Sequence, residues 1–173
     1  EEVFNTIADR LGRVSIFAPL SSEEIEKLAN SSTSRVYAPG EAIVRQGQEG
    51  NSMFVIIHGS VKVQIPEHDY QKTINTLGEN DFFGEMSLLT GEPRTANVIA
   101  VVESEVLRID KSGLKPIFEN NPTLVDAVSE LVDERREMLL KNLGNSAHPD
   151  VAGADRKGVL GTIRNFFGLR SGS

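Results

Sequence analysis

The sequence of 173 residues contains no cysteine, which excludes disulfide bonds, thiol catalysis and thiolate metal sites. Its three histidines, His58, His68 and His148, are scattered without the spacing of paired ligands on one helix, so a metal site is not expected. No apolar run is long enough to cross a bilayer. The net charge of −7 lacks the basic surplus of a general nucleic-acid surface, so nucleic acid is not an expected partner.

The sequence does not begin with an initiator methionine. It also shows no secretory signal, because Glu1 and Glu2 stand where the start of a signal peptide would be basic. We therefore expect a piece of a longer chain. The absence of cysteine fits a reducing compartment, so a cytoplasmic location is predicted, with the cytoplasmic face of a membrane protein as an alternative.

Changes in residue pattern predict five segments. Helical spacing of apolar residues in the first part is followed by short runs rich in valine and isoleucine, and then by helical spacing again. A stretch of small and polar residues then leads to a short C-terminal segment that is basic and has the apolar spacing of an amphipathic helix. The predicted segments are N-terminal helices at 1–32, a β-region at 33–110, two C-terminal helices within 111–143, a linker at 144–157 and an amphipathic tail at 158–173.

The β-region favours an antiparallel architecture. About eight short strands are separated by glycine or proline, with a turn at Pro39–Gly40 and a hairpin around Gly59–Ser60. This spacing is typical of a sandwich or barrel and not of a βαβ sheet. We therefore predict an α+β fold, mainly β, with helices at both ends.

One segment, 82–98, interrupts the strands with a short stretch of helical character between Gly84 and Thr90. The backbone N–H groups at the start of such a helix favour an anion, and glycine lets a ligand approach closely. Arg94 can add a planar, charged fork to the same place. Glu85 would repel a phosphate but can accept hydrogen bonds from a sugar hydroxyl, so the segment indicates a nucleotide with few free phosphate charges.

The same segment resembles the phosphate-binding cassette of the cyclic-nucleotide-binding domain family. It matches Phe-Gly-Glu-x-Ser-Leu-Leu-x-Gly-x-Pro-Arg-Thr-Ala, and the resemblance extends over roughly 16–138. It is closest to the C-terminal sensor domains of bacterial cyclic-nucleotide-gated or mechanosensitive-like channels. The resemblance implies an eight-stranded antiparallel β-roll, jelly-roll-like, with N-terminal helices and two C-terminal helices.

The resemblance also implies the roles of individual residues. The backbone of Gly84 and Ala96 and the side chain of Arg94 would bind the cyclic phosphate, and Glu85 would bind the ribose 2′-hydroxyl. Thr95 would contact a guanine, which leaves both cAMP and cGMP open as ligands. The predicted ligand-binding residues are Phe83, Gly84, Glu85, Met86, Ser87, Arg94, Thr95, Ala96, Arg135 and Arg136, the last two as alternatives for a lid over the base.

Each assignment has a simpler alternative. Arg94 can form a surface salt bridge with Glu92, and Glu85 can complement a helix dipole. Thr95 can be an ordinary strand residue. The pair at 135–136 can be a solvated helix face. For the tail, packing on protein is preferred to contact with a membrane.

We therefore expect a non-enzymatic domain that binds cAMP or cGMP, needs no cofactor or metal, and regulates an attached effector by movement of its last helix. A bacterial channel is the expected effector. A transcription regulator, a kinase-type protein, an enzyme that hydrolyses cyclic nucleotides and an empty interaction domain are the alternatives. Homo-oligomerisation through the longer protein stays open.

Overall fold

The computed structural model describes residues 2–143, 163 and 166–168. Helices lie at both ends of the β-region, as expected from the apolar spacing. A 3-10 helix at Ser15–Phe17 follows the first α-helix. The α-helices are α1 (Glu2–Gly12), α2 (Ser22–Ser31), α3 (Glu85–Thr90), α4 (Lys111–Asn120) and α5 (Thr123–Leu143).

Eight strands form two antiparallel four-stranded sheets, which confirms the predicted β-roll. The strands are β1 (Thr33–Tyr37), β2 (Ala42–Val44), β3 (Ser52–His58), β4 (Val61–Glu67), β5 (Tyr70–Leu77), β6 (Phe82–Phe83), β7 (Asn97–Ala100) and β8 (Ser104–Asp110). The first sheet has the order β1-β8-β3-β6, and the second has the order β2-β7-β4-β5.

Strand β3 is apolar without alternation because both of its faces are buried. Met53 and Val55 point into a core that the helices share with the first sheet. Phe54 and Ile56 point into a second core between the two sheets. Since successive side chains of a strand alternate, one short strand supports both cores.

The N-terminal helices are positioned by local capping and by a long-range contact. Ser21 and Glu24 form a reciprocal capping box at the start of α2, as their spacing predicts. On α1, Nη1 of Arg10 donates a hydrogen bond of 2.7 Å to the carbonyl of Ile57 at the end of β3. The helices are thereby attached to the same strand that leads into the candidate site.

Helices α4 and α5 follow β8 directly and are separated at Asn121–Pro122. The apolar face of α5 is buried in the helical core that also contains Leu88 and Leu89 of α3. Residues of α3 and α5 therefore belong to one buried cluster. Among the described residues, no helix has the length and apolar character needed to cross a lipid bilayer.

Candidate functional site

The segment between β6 and β7 begins with a glycine in the left-handed region. Gly84, the N-cap of α3, has φ +82°, which L side chains rarely adopt, so glycine is required here. Glu85 follows as the first residue of α3 and is only 6% exposed. A carboxylate at the first turn of a helix complements the positive end of the helix dipole.

Arg94, only 8% exposed, is held by a residue on a distant strand. Its Nη1 atom donates a hydrogen bond of 2.7 Å to the carbonyl of Ser52, and its Nη2 atom donates one of 3.0 Å to the Ser52 hydroxyl. Nη1 also lies 3.4 Å from the carbonyl of Gly84. Arg94 and the N-cap of α3 are therefore adjacent, although they lie ten positions apart in the chain.

Two glycines, which have no side chain, provide room for the guanidinium of Arg94. A Cβ atom on Gly50 would lie 2.7 Å from Arg94 Nη2, and one on Gly84 would lie 2.7 Å from Arg94 Nη1. The ring of Phe54 is on another side, with its centroid 5.5 Å from Arg94 Cζ. Any side chain at position 50 or 84 would therefore displace the guanidinium or be displaced by it.

The backbone of Arg94 is fixed by the loop between β2 and β3. The N–H of Arg94 donates to the carbonyl of Gln48 at 2.9 Å, and the N–H of Gly47 donates to the carbonyl of Arg94 at 2.8 Å. Nearby, the N–H of Gln46 donates to the side-chain oxygen of Asn97 at 2.8 Å. These bonds orient the side chain of Arg94 toward Ser52 and Gly84.

The electrostatics of Arg94 reflect its burial. Desolvation lowers the pKa of Arg94, the positive charge of Arg108 lowers it further, and the carboxylate of Glu85 raises it. An arginine is effectively always protonated in proteins, so the lowered pKa leaves the charge in place at neutral pH. The two groups that hold the guanidinium, a carbonyl and a hydroxyl of Ser52, are neutral acceptors. Ser52 therefore orients the guanidinium without neutralising its charge.

Comparison with known families shows which family the chain belongs to. The family model described as "Cyclic nucleotide-binding domain" matches residues 34–121, just over half of the chain. The chain belongs to the cyclic nucleotide-binding domain family. The resemblance seen in the segment 82–98 is thus confirmed.

Relatives of this cyclic nucleotide-binding domain include a kinase and a channel. The chain is 34% identical over 189 residues to the cGMP-dependent protein kinase egl-4 of Caenorhabditis elegans, covering 89% of this chain and 24% of the kinase. It is 31% identical over 123 residues to the cyclic nucleotide-gated potassium channel RHE_CH03180 of Rhizobium etli, covering 71% of this chain and 33% of the channel. The chain thus spans a quarter to a third of the length of these relatives.

A solved structure with the same fold is the cAMP-bound PfPKA-R fragment 141–441. The two are 25% identical with a TM-score of 0.67, and the match covers 92% of this chain and 50% of the other. The match supports the fold over most of this cyclic nucleotide-binding domain.

The predicted ligand-binding residues do not all point to one place. Gly84 and Arg94 converge, and an electrostatic interaction links Arg94 to Glu85. Thr95 and Ala96 follow Arg94 and are half-buried before β7 begins. Their proposed contacts with a ligand stay predictions.

Three other predicted residues have contacts within the protein. The ring of Phe83 stacks on that of Phe54, with centroids 5.2 Å apart, inside the core between the sheets. The hydroxyl of Ser87 donates to the carbonyl of Glu92 at 2.8 Å, which closes the loop after α3. Met86 packs against the helical core. Their observed contacts therefore organise the segment, and their contact with a ligand stays a prediction.

The simpler alternative for Arg94 does not fit the structure. Among the residues described, Arg94 forms no ion pair with Glu92, and it is buried instead of lying on the surface. The side chains of Arg135 and Arg136, the alternatives for a lid, lie outside the described part of α5. The predicted linker at 144–157 also lies outside the described residues.

Sequence reasoning missed two residues, Ser52 and Gly50. Ser52 is 42 residues from Arg94 in the chain, so no local pattern joins them. Gly50 is likewise distant from Arg94 in the chain. The signal that could have revealed the role of Gly50 is the presence of two glycines, at 47 and 50, in one short loop. Such a loop can leave room for a large side chain such as Arg94.

Proposed function

We propose that this domain binds a cyclic mononucleotide, cAMP or cGMP, at Gly84, Glu85 and Arg94, and that binding regulates an attached effector. The observation that carries the proposal is the buried guanidinium of Arg94, held beside Gly84 by the neutral acceptors of Ser52. A cyclic phosphodiester has a single negative charge. One permanently charged fork, together with N–H groups at the start of α3, matches that charge.

The neighbouring groups suit the rest of the ligand. Glu85 would accept a hydrogen bond from the ribose 2′-hydroxyl, while the backbone of Gly84 and Ala96 would donate to the phosphate. Thr95 would contact the base through its hydroxyl. Arg135 or Arg136 would cover the base when α5 closes. These roles follow the resemblance, and the convergence of Gly84 and Arg94 supports a phosphate position beside Gly84.

Transmission of binding would use the shared helical core. Leu88 and Leu89 of α3 are fully buried in the same cluster as Val128 and Val132 of α5. Because packed cores are bistable and not continuously deformable, a shift of α3 favours a discrete new position of α5. The ligand would bind that arrangement better and increase its population.

Two effectors are candidates, a channel and a kinase. A bacterial channel is the effector suggested by the sequence, and the similarity to the Rhizobium channel supports it. A kinase is the second candidate, because the match to egl-4 covers more of this chain at slightly higher identity. The complete gene decides between them: membrane-spanning segments indicate a channel, and a kinase catalytic domain indicates the alternative.

We further propose that the domain has no catalytic activity, works without a metal cofactor, and lies in the cytoplasm. Hydrolysis of a cyclic phosphate would need a metal cluster or an activated nucleophile next to it. Within the described residues, no three histidine, aspartate or glutamate side chains form a group that could hold a metal ion. Incubation with cAMP and cGMP, followed by chromatography, should return both ligands unchanged.

Thermal unfolding with a panel of ligands tests the binding proposal. Cyclic AMP or cyclic GMP should raise the unfolding temperature in a concentration-dependent way, because a ligand that binds only the folded state stabilises it. Linear 5′-AMP and 5′-GMP carry more phosphate charge and should have much smaller effects. Equal stabilisation by the linear nucleotides would contradict a site built for a cyclic phosphodiester.

A further inference from the structure

Three apolar residues close to the C-terminus lie against the domain. Ile163 and Phe167 are 0% and 1% exposed and belong to the helical core. The ring of Phe167 meets that of Phe118 on α4 edge to face, with centroids 5.0 Å apart. Phe166 is half-buried at the border of the same core. We call Ile163, Phe166 and Phe167 the tail anchor.

Phe166 contacts the far end of the helix that begins at Gly84. A Cβ atom on Gly91, the C-cap of α3, would lie only 2.4 Å from Cε1 of Phe166, so the ring rests directly on the backbone of that turn. The ammonium group of Lys111, the first residue of α4, lies 3.9 Å from the centroid of the same ring. Phe166 therefore bridges the C-terminal end of α3 and the start of α4.

We propose that the tail anchor is a docking element whose attachment to α3 and α4 is coupled to the binding of a cyclic nucleotide. This inference depends on the proposed function. The ligand would contact the Gly84 end of α3, and Phe166 contacts the Gly91 end. A helix of six residues is about 9 Å long and moves as one body, so the two contacts cannot change independently.

The proposed direction of the coupling takes the observed arrangement as the one that the ligand binds. With the tail anchor docked, Arg94 is already held at Ser52 and lies beside Gly84. If docking favours this arrangement, release of the tail should weaken the binding of the ligand. Coupling between two sites is reciprocal, so a cyclic nucleotide should strengthen docking by the same factor.

The occupant of this surface is the tail of the same chain. The contact is made by its own Ile163, Phe166 and Phe167, and the cation of Lys111 over the ring adds an interaction that a simple aliphatic residue would not provide. The tail of a second copy would make the same contacts, so the experiment must separate the two sources by their dependence on concentration.

Calorimetry on the full 173-residue chain tests the coupling. Phe166→Ala should weaken the binding of cAMP or cGMP about 5-fold or more, a usual size for coupling between sites. Lys111→Met keeps the bulk of the side chain but removes its charge, and it should also weaken the binding of the cyclic nucleotide. Tyr70→Ala is the matched control, because this aromatic side chain is 58% exposed on β5 and its removal should leave affinity unchanged.

Hydrogen exchange measures docking itself. Amides within 163–168 should exchange more slowly when the cyclic nucleotide is present, and the protection should be lost in Phe166→Ala. Unchanged or tighter binding by Phe166→Ala would overturn the coupling. So would amide exchange in the tail that has the same rate with and without the cyclic nucleotide. Protection that grows with protein concentration would assign the tail to a second copy and overturn the docking within one chain.

The two proposals fail in different ways. If the unmodified chain binds neither cAMP nor cGMP, the proposed function and the coupling are both wrong. If the chain binds one of them but Phe166→Ala binds it equally well, only the coupling is wrong. Thermal unfolding of each variant excludes loss of the fold as the cause of weak binding.

Discussion

The guanidinium of Arg94 donates two hydrogen bonds to one residue, Ser52, at 2.7 Å to its carbonyl and 3.0 Å to its hydroxyl. A carboxylate in this position would neutralise the arginine. The serine orients it and leaves its charge unpaired by that contact. The burial that lowers the pKa of Arg94 makes this charge costly in the free protein, so an anion that pairs with it regains part of that cost.

Replacement of the serine hydroxyl tests this positioning. Ser52→Ala keeps the carbonyl but removes one of the two acceptors, and we expect about 10-fold weaker binding of a cyclic nucleotide, since hydrogen bonds to charged groups contribute about 1.5–3 kcal/mol. Ser52→Thr restores the hydroxyl and should restore most of the affinity. Calorimetry measures both. Wild-type affinity in Ser52→Ala would show that the backbone carbonyl alone positions Arg94.

A second prediction uses the space beside Arg94. In Gly50→Ala, the added methyl group would lie 2.7 Å from Nη2, so the guanidinium must move away from Ser52. The fold should tolerate this change because the obstructing atoms are the end of a flexible side chain. We therefore expect a clear loss of affinity with nearly unchanged thermal stability.

Gly78→Ala is the matched control for that prediction, because a Cβ atom at Gly78 would meet nothing within 4 Å. It should bind ligand like the wild type. Equal affinities of Gly50→Ala and the control would contradict the importance of the observed guanidinium position.

The role of Glu85 can be separated from that of Arg94 with a modified ligand. If Glu85 accepts a hydrogen bond from the ribose, Glu85→Gln should bind cAMP about 10-fold more weakly. The 2′-deoxy analogue of cAMP lacks that hydroxyl and should bind both proteins with similar affinity. Competition against a fluorescent cyclic nucleotide measures all four combinations. If Glu85→Gln loses the same factor of affinity for both ligands, Glu85 stabilises α3 and does not contact the ribose hydroxyl.

Thr95 is expected to affect the choice of base. Thr95→Ala should weaken binding of cGMP about 10-fold and leave cAMP nearly unchanged, because only guanine offers a 2-amino group to the hydroxyl. Thr95→Ser keeps the hydroxyl and should retain the wild-type preference. If the ratio of the two affinities is the same in Thr95→Ala as in the wild type, Thr95 is simply a half-buried residue that leads into β7.

Much of the fold could be predicted because its signals are local. The capping box of Ser21 and Glu24 and the alternation of short apolar runs with turns depend on neighbouring residues, and they agree with the elements observed. The two-residue strand β6 was not predicted, since Phe82 and Phe83 have no strand-length pattern of their own. Their pairing with Phe54 and Val55 on β3 defines this strand.

The site was less predictable than the fold for a physical reason. The motif locates Gly84, Glu85 and Arg94 within one short stretch, but the acceptors that hold Arg94 belong to Ser52 and part of its space is left by Gly50, both far away in the chain. Only the pairing of β3 with its neighbours brings them together. Likewise, the inward position of Phe83 depends on its stacking against Phe54 of β3, a tertiary contact that no local pattern reveals.

The most direct test of the central claim is calorimetric titration of the wild type and Arg94→Lys with cAMP and with cGMP. Lysine keeps the positive charge but loses the planar fork that contacts Ser52 and would contact the phosphate. We expect the wild type to bind at least one of the two ligands and Arg94→Lys to bind it at least about 10-fold more weakly. A folded wild type that binds neither ligand, or equal binding by Arg94→Lys, would contradict the account.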